Sequence, residues 1–265
     1  MSGLPNRTEA GQGDVAVLLL HGIGGGKAIW QHTLPALAAA GFRAVATDFP
    51  GYGDAPGMPT LDAMTQAVAD LVTLIGARHT VLLGHSMGGM VAQELVARQP
   101  DLVQGLVLAC TSASFGKSDG AWQARFVADR LAPLDAGVGM AGMAARLVPA
   151  MVAPQASAEA VREAVAVMSG VPEATYRAAL HAIAAFDRRA ALGDIGVPPL
   201  LLAAAHDRTA PPEVMQRMAA RIPWSEYVCL PAAGHIANLE QPAAFNAAVL
   251  SFLQSQFVKS NFVGV

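Results

Sequence analysis

The sequence predicts an α/β fold, built on a mostly parallel, doubly wound sheet with an inserted helical cap. Three observations predict it. Apolar runs of strand length alternate with segments of helical periodicity, which is typical of a parallel sheet covered by helices on both faces. This alternation stops at about residue 114 and resumes after residue 190. With 265 residues, of which 53% are hydrophobic and 14% charged, the chain can bury a large core.

The core elements are expected in a regular order. Residues 1–13 are polar and contain glycine, so we expect no more than a frayed strand there. Continuous apolar runs predict buried strands at 15–20, 43–47, 81–83, 102–110, 199–204 and 227–230. Helical patterns predict helices at 30–40, 61–75, 87–98 and 241–254, and a further helix that begins near Pro211 and Pro212.

The ends of the predicted helices carry ordinary capping and stop signals. Thr60 is the expected N-cap of the helix over 61–75, whose apolar residues recur at spacings of three and four. Gly41 ends the helix before it, and Pro100 ends the helix after it. From 114 to 190 the chain shows no strand pattern, and helical pieces rich in Ala and Met are separated by Gly and Pro. We therefore expect residues 1–113 and 191–265 to form the core and residues 114–190 the cap.

Composition excludes several classes of function. A net charge of −3 and a pI near 6.1 give no electrostatic reason to bind nucleic acid. No run approaches the roughly 18 apolar residues that a membrane span needs, and the first residues lack the apolar core of a signal peptide. We expect a cytoplasmic monomer or homodimer that binds neither nucleic acid nor membrane. Cys110 and Cys229 both end predicted strands, and we expect buried free thiols.

The stretch 81–89 is the strongest local signal for chemistry. An apolar run enters a Gly-x-Ser-x-Gly pattern centred on Ser86, and a helical pattern follows directly. A serine on such a tight strand-to-helix turn holds strained backbone angles and keeps its hydroxyl exposed. Gly84 and Gly88 are small because side chains there would collide across the turn. The pattern predicts that Ser86 is a nucleophile.

A nucleophilic serine needs a base to take its proton, and the base needs an acid to orient it. Asp207 is the first carboxylate after the strand at 199–204, and His235 follows the strand at 227–230. Because loops at the carboxyl ends of parallel strands share one edge of the sheet, we expect both to meet Ser86. The backbone N–H groups of Met87 and Ile23 are the expected oxyanion-hole donors.

Other residues compete for the acid and base roles. The remaining histidines are His21, His32, His79, His85, His181 and His206. The first and fourth belong to glycine motifs and are expected to orient loops, three lie in or beside helices with no partner in view, and the last adjoins Asp207. A structural loop histidine remains an alternative for His235. Asp48 also follows a strand, but its Pro-Gly loop favours a structural role in a turn.

Five segments together resemble a known family over nearly the whole chain. They are HGIGG at 21–25, DFPGYG at 48–53, GHSMGG at 84–89, DRTAPP at 207–212 and GHIANLEQP at 234–242. The sequence resembles the α/β-hydrolase superfamily, and within it the 3-oxoadipate enol-lactonases, carboxylesterases and C–C hydrolases that carry caps. It departs from their pattern at Ala55, where serine is usual, at Ala204, where glycine is usual, and in a shortened N-terminal hairpin.

The resemblance implies a serine hydrolase that cleaves a small carboxylic ester or lactone through an acyl-enzyme, with no cofactor and no metal. C–C bond hydrolysis of meta-cleavage products and cofactor-free perhydrolase or haloperoxidase chemistry remain alternatives. A ligand receptor on the same fold is the alternative that is not an enzyme, because one fold supports many functions.

The predicted cap offers candidate substrate contacts. Trp122, Phe126 and Met143 supply apolar bulk for the roof of a pocket, and Arg125 is a candidate partner for a substrate carboxylate. Arg130 and Arg146 are equivalent candidates for that carboxylate. The alternative is that the apolar residues only pack the cap on the core and that the arginines face solvent.

Overall fold

Seven strands form one sheet in the computed structural model, which describes residues 6–116 and 120–258. The predicted N-terminal segment and cap thus include residues 1–5 and 117–119, which lie outside the described residues. The strands are Arg7–Ala10 (β1), Val15–Leu20 (β2), Arg43–Thr47 (β3), His79–His85 (β4), Gly105–Ala109 (β5), Pro199–Ala204 (β6) and Glu226–Leu230 (β7).

The strand order across the sheet is β1-β3-β2-β4-β5-β6-β7. Among the described strands, β1 alone runs antiparallel to its neighbour, and every other pair is parallel. The predicted mostly parallel sheet is confirmed. The N-terminal strand is short, with four residues at the edge of the sheet.

Ten α-helices are found within the described residues. They are Thr33–Ala39 (α1), Leu61–Ile75 (α2), Met87–Arg98 (α3), Ala121–Asp135 (α4), Gly139–Met151 (α5), Ala158–Ser169 (α6), Glu173–Ala184 (α7), Pro212–Ala219 (α8), Ala237–Glu240 (α9) and Pro242–Phe257 (α10). None of them, in that part of the chain, is long and apolar enough to cross a membrane. The Thr60 hydroxyl caps α2 as predicted, accepting a hydrogen bond from the Ala63 N–H at 3.0 Å.

Several predicted boundaries shift by one to three residues, and two differ for a clear physical reason. The first helix was expected at 30–40, but a short 3₁₀ turn over Lys27–Trp30 precedes α1, which begins at Thr33. A helix from 30 would place Pro35 in its interior, whereas α1 keeps Pro35 in its first turn, where no N–H is needed. The strand expected at 102–110 is shorter, because Pro100–Leu102 continues as a 3₁₀ turn and Cys110 leaves the strand with φ at 46°.

The sheet is buried on both faces. Successive residues of a strand point to opposite faces, so Leu18 and Leu20 of β2 pack with the apolar side of α2 and α3. Val17 and Leu19 pack on the other face with α1 and α10. All four side chains are fully buried, and each such burial stabilises the fold by about 1.5–3 kcal/mol. This core fixes the strand ends that carry the loops of the site.

The segment between β5 and β6 contains α4 to α7 and rejoins the sheet where it left it. Its two stems pair with each other: the Phe115 N–H donates to the Phe186 carbonyl at 3.0 Å, and the Arg188 N–H donates to the Ala113 carbonyl at 2.7 Å. The division into a core and a cap at residues 114 and 190 stays a prediction.

Candidate active site

Ser86 lies on a sharp turn between β4 and α3. Its backbone has φ 53° and ψ −118°, a strained conformation for a residue with a side chain. Neighbouring groups hold this turn, since the Ser86 N–H donates to the Ala109 carbonyl at 3.0 Å and the Thr111 hydroxyl donates to the Ser86 carbonyl at 2.7 Å. The rigid turn presents the serine hydroxyl beyond the end of the strand.

The two glycines of the turn are required by close backbone contacts. A Cβ on Gly84 would lie 2.4 Å from the Gly88 carbonyl oxygen, and a Cβ on Gly88 would lie 2.2 Å from the Leu20 carbonyl oxygen. Neither approach is possible for any other residue without moving the backbone. The turn therefore sits directly against the end of β2.

The loops after three parallel strands bring Ser86, Asp207 and His235 together. The Nε2 of His235 lies 3.0 Å from the Ser86 Oγ, and its Nδ1 lies 2.8 Å from the Asp207 Oδ2. His235 and Asp207 are almost completely buried, with 2% and 3% of their surface exposed. An ionised carboxylate at Nδ1 holds a proton there and leaves Nε2 free to accept the hydroxyl proton of Ser86.

The second oxygen of Asp207 is held by backbone donors. Its Oδ1 accepts hydrogen bonds from the N–H groups of Thr209 at 2.7 Å and Ala210 at 2.9 Å. Burial alone would raise the pKa of Asp207, but His235 and these two N–H groups outweigh it and keep the pKa below its usual value. The carboxylate is thus ionised and fixed in orientation at neutral pH.

Asp48, the alternative acid, has a different set of contacts. Its Oδ1 accepts the backbone N–H of Lys27 at 2.7 Å, and its other oxygen pairs with the Lys27 ammonium. A Cβ on Gly53 would lie 2.5 Å from that second oxygen, so the Pro-Gly loop closes tightly around the carboxylate. Asp48 therefore joins two loops and does not contact His235.

The backbone of His235 is tied on both sides. Its N–H donates to the Met151 carbonyl at 2.8 Å, at the end of α5, and its carbonyl accepts a hydrogen bond from the His85 Nε2 at 2.7 Å. Burial lowers the pKa of His85 to about 3, so this ring is neutral and Nε2 carries its proton. His85 thus holds in place the loop that carries His235, which agrees with the loop-orienting role expected for it.

Glu240 is a buried carboxylate that the sequence analysis did not single out. Its Oε2 accepts the N–H groups of Ala153 at 2.7 Å and Gly234 at 2.8 Å, and its Oε1 accepts the Ile236 N–H at 3.0 Å. Glu240 therefore binds the backbone on both sides of His235 and the backbone of the segment that follows α5. One signal was available, because Glu240 is the only Asp, Glu, Lys or Arg between residues 227 and 258.

His21 organises the loop that follows β2. Its Nδ1–H donates to the Gly22 carbonyl at 2.8 Å, and its Nε2 accepts the Phe49 N–H at 3.1 Å. Burial lowers the pKa of His21 to about 4, so the ring stays neutral. The Tyr52 hydroxyl donates to the Ile23 carbonyl at 2.9 Å and fixes the same loop.

The two expected oxyanion-hole residues flank the serine. Ile23 lines the same cavity as Ser86, and Met87 is the first residue of α3. Within the described ranges, neither backbone N–H donates a hydrogen bond to another protein group. The N-terminus of α3 adds the positive end of its dipole beside Ser86. These groups are placed where negative charge could be stabilised, and their role stays a prediction.

A cavity of about 660 Å³ opens over Ser86 and His235. Trp122 and Phe126 of α4 line it, together with Phe115 from the stem of the inserted segment. The three rings form one aromatic cluster, with ring centroids between 5.1 and 5.8 Å apart. This volume is in the range of pockets for small organic ligands.

Two other candidate substrate contacts lie away from this cavity. Met143 is buried at 1% exposure but packs within the helices, and Arg125 is exposed on the outer side of α4. The reason is helical geometry. Positions 122, 126 and 130 share one face of α4, whereas position 125 is turned by about 100° from 126. Arg130, from the same helix, lines the cavity instead, and Arg146 is exposed elsewhere.

The two cysteines are free thiols within the described structure. Cys110 is fully buried and lines the cavity, and burial raises the pKa of its thiol. Cys229 is only half-buried, because β7 is an edge strand whose residues 227–229 are all only partly covered. The expectation of a buried thiol was therefore right for Cys110 and wrong for Cys229.

Comparison with known proteins places residues 17–248 in the alpha/beta hydrolase family. A protein of Variovorax paradoxus named as a carbamate hydrolase is 36% identical, over 90% of this chain and 91% of its own. One of Mycobacterium tuberculosis named as a non-heme bromoperoxidase is 31% identical, over 93% and 96%. The solved structure of a thermophilic esterase from Thermogutta terrifontis matches with a TM-score of 0.82 and 30% identity, over 94% and 92%.

Proposed function

The chain belongs to the alpha/beta hydrolase family, and from this premise we propose that it cleaves small carboxylic esters or lactones through an acyl-enzyme. One observation carries the proposal. The Ser86 Oγ, the His235 ring and the Asp207 carboxylate form a continuous hydrogen-bonded chain, with distances of 3.0 and 2.8 Å. This is the arrangement that turns a serine hydroxyl into a nucleophile.

In the first half of the reaction, Ser86 attacks the carbonyl carbon while His235 Nε2 takes the hydroxyl proton. The carbonyl oxygen becomes negative and receives hydrogen bonds from the N–H groups of Ile23 and Met87. His235 then gives its proton to the departing alcohol oxygen, and the acyl group remains on Ser86. Each oxyanion donor contributes about 2.7–4 kcal/mol to stabilising this transition state.

In the second half, water enters the site and His235 takes its proton. The resulting hydroxide attacks the acyl carbon, and collapse of the second intermediate returns the proton to Ser86 and releases the acid. Asp207 stays ionised throughout and stabilises His235 whenever the ring carries two protons. Its low pKa, supported by the two backbone donors, suits this constant role.

The inserted segment supports a role in substrate choice. We assign residues 114–190 as a cap whose α4 places Trp122 and Phe126 over the cavity that holds Ser86. Their rings would contact the acyl chain or the ring of a lactone, because apolar walls with few polar groups favour such ligands. The triad would set the reaction and the cap would set the size of the substrate.

The test is covalent trapping of the serine. With p-nitrophenyl acetate we expect a burst of p-nitrophenolate equal to the enzyme concentration, and a fluorophosphonate should label Ser86 as located by peptide mass spectrometry. Ser86→Ala should abolish both signals and lower turnover by about 10⁴-fold or more with an unchanged fold. Ser112→Ala is the matched control, because Ser112 lines the same cavity but donates only to the Ser114 carbonyl.

Turnover retained within tenfold in Ser86→Ala would overturn the proposal, as would labelling of another residue.

Perhydrolysis is a second candidate, supported by the relative named as a bromoperoxidase. In that reaction, hydrogen peroxide replaces water and the acyl-enzyme yields a peracid. Measuring peracid formation from acetate and hydrogen peroxide, beside ester hydrolysis by the same preparation, distinguishes the two.

A further inference from the structure

Five arginines line the cavity over Ser86. They are Arg130, Arg189, Arg208, Arg217 and Arg221. No Asp or Glu is found among the described residues that line this cavity, although the whole chain has a net charge of −3. The Arg, Lys, Asp and Glu residues that line this cavity are therefore all positively charged.

The helix α8 and the turn after it present two of these arginines in a regular pattern. Val214, Arg217, Met218 and Arg221 all line the cavity, at the spacings of three, four and seven that share one helix face. Arg208 reaches the cavity from the loop that also holds Asp207. These four positions combine two apolar residues with two arginines that are four residues apart, the second of them just beyond the end of α8.

Three of the arginines have no carboxylate partner. Arg208, Arg217 and Arg221 make no ion pair with any described residue. Arg189, which is exposed, is paired with Asp187. Arg130 lies over the Phe126 ring, 5.1 Å from its centroid. Glu213 is four residues before Arg217, but it lines a neighbouring cleft and forms no ion pair with that arginine. Arg208, Arg217 and Arg221 thus line the cavity from exposed positions and form no ion pair with a described side chain. Arg208 also lines the neighbouring cleft, together with Asp207 and Glu213.

Unpaired guanidinium groups beside a partly enclosed cavity attract anions, and they match an anion with two or more oxygens through paired hydrogen bonds. We propose that the substrate carries such an oxyanion, a carboxylate or a phosphate, at the end remote from the scissile carbonyl. Arg208, Arg217 and Arg221 bind that group while Ser86 attacks the other end. This inference rests on the proposed hydrolase function and names the substrate class of the same site.

The test compares esters that differ only at the remote end. The probes are monomethyl esters of linear dicarboxylic acids with four to ten carbons, the neutral methyl alkanoates of equal length, and methyl 6-phosphonooxyhexanoate. The measured quantity is the ratio of kcat/KM for the anionic ester to that for the neutral ester. We expect a ratio of about ten or more at one chain length or a few, and a fall in that ratio as salt is raised.

The role of the arginines is tested by comparing two double variants that remove the same amount of charge. Arg217→Gln/Arg221→Gln should lower the ratio by about tenfold, because two charge-assisted contacts are lost. Arg125→Gln/Arg146→Gln removes the same charge from exposed positions outside the cavity and should leave the ratio within about twofold of the parent. Arg217→Lys keeps the charge but not the paired hydrogen bonds, and should give an intermediate ratio. Thermal unfolding confirms that each variant folds.

The carboxylate and phosphate probes decide which anion is preferred. A ratio near one for both anions at every chain length would overturn the inference, as would equal losses in the two double variants. Calorimetric titration of Ser86→Ala with monomethyl adipate separates this result from failure of the proposed function. Binding that depends on Arg217 and Arg221 without any hydrolysis by the parent would leave the anion site standing and overturn the hydrolase.

Discussion

The Nε2–H of His85 donates a hydrogen bond to the backbone carbonyl of His235, across 2.7 Å. This bond joins the residue before the serine to the loop that carries the base. The other ring nitrogen of His85 is buried and has no hydrogen-bond partner among the described residues. A Cβ on Gly22 would lie 3.1 Å from that nitrogen. The ring must therefore stay neutral, because a proton on Nδ1 would find no acceptor there.

The first prediction concerns acid stability. Below pH 6.5 the unfolded chain protonates His85 and His21, whereas the folded protein keeps them neutral until about pH 3 and 4. The unfolded state then binds more protons, so the free energy of unfolding falls as pH drops from 6.5 toward 4. His85→Gln should reduce this fall by about 1.4 kcal/mol per pH unit.

Urea titrations between pH 7 and 4.5 measure this slope. His181→Gln is the matched control, because His181 is exposed on α7. We expect its slope to equal that of the parent. An identical slope in His85→Gln would contradict the neutral, buried ring.

The second prediction separates the two aspartates. Asp207→Asn should lower kcat by about 10⁴-fold, because the amide no longer holds the proton on Nδ1 of His235. Asp48→Asn should instead lower the free energy of unfolding by about 2 kcal/mol, since it weakens the contact with Lys27. Steady-state kinetics and urea unfolding of both variants provide the measurement. A nearly normal kcat in Asp207→Asn would assign the acid elsewhere.

The third prediction concerns Glu240 as a residue that positions the base. Glu240→Gln places an amide NH₂ against one of the three N–H donors, so at least one buried donor loses its acceptor at a cost of about 1–3 kcal/mol. We expect kcat to fall by about tenfold or more with little change in KM, and unfolding to occur at lower urea. Glu226→Gln is the control, at an exposed position on β7.

Glu240→Asp keeps the acceptor charge but shortens the side chain, and should recover part of kcat. A role in stability alone predicts a different outcome, in which urea unfolding shifts while kcat of the folded variant stays normal. The split between kcat and KM is thus the deciding readout.

The fourth prediction separates pocket lining from packing within the cap. Trp122→Ala should change the ratio of kcat/KM between long-chain and acetyl esters by about tenfold to 200-fold, because Trp122 lines the cavity. Met143→Ala should lower the free energy of unfolding by about 2–5 kcal/mol and leave that ratio unchanged, because Met143 packs away from the cavity. An acyl-chain series with p-nitrophenyl esters, beside urea unfolding, measures both.

The strands were predictable because a strand that is buried on both faces appears in the sequence as an uninterrupted run of apolar residues. The six apolar residues of 15–20 and those of 199–204 have no polar interruption, and both form strands with those bounds. The order of strands and helices then leaves few ways to fold, and the parallel sheet follows. The same reasoning gathers Ser86, Asp207 and His235 at one edge, although their catalytic roles stay a prediction.

The cap contacts were not predictable from the same information. Every helix there has apolar residues, and periodicity does not say whether a face meets the cavity or another helix. Met143 and Trp122 are both apolar, yet only Trp122 lines the cavity. Glu240 was missed because its partners are backbone groups that the sequence does not identify, and its isolation among uncharged residues was the one signal. Such contacts depend on how distant loops meet.

The hydrogen bonds that join the end of α5 to the loop of His235 limit how the site can open. Met151 and Ala153 hold that loop directly and through Glu240. A roof that lifted as one rigid body would break these bonds and draw the imidazole away from the serine. Any opening of the cavity that keeps His235 beside Ser86 must therefore leave the end of α5 in place. The end of α5 thus acts as an anchor that ties the inserted segment to the base of the triad.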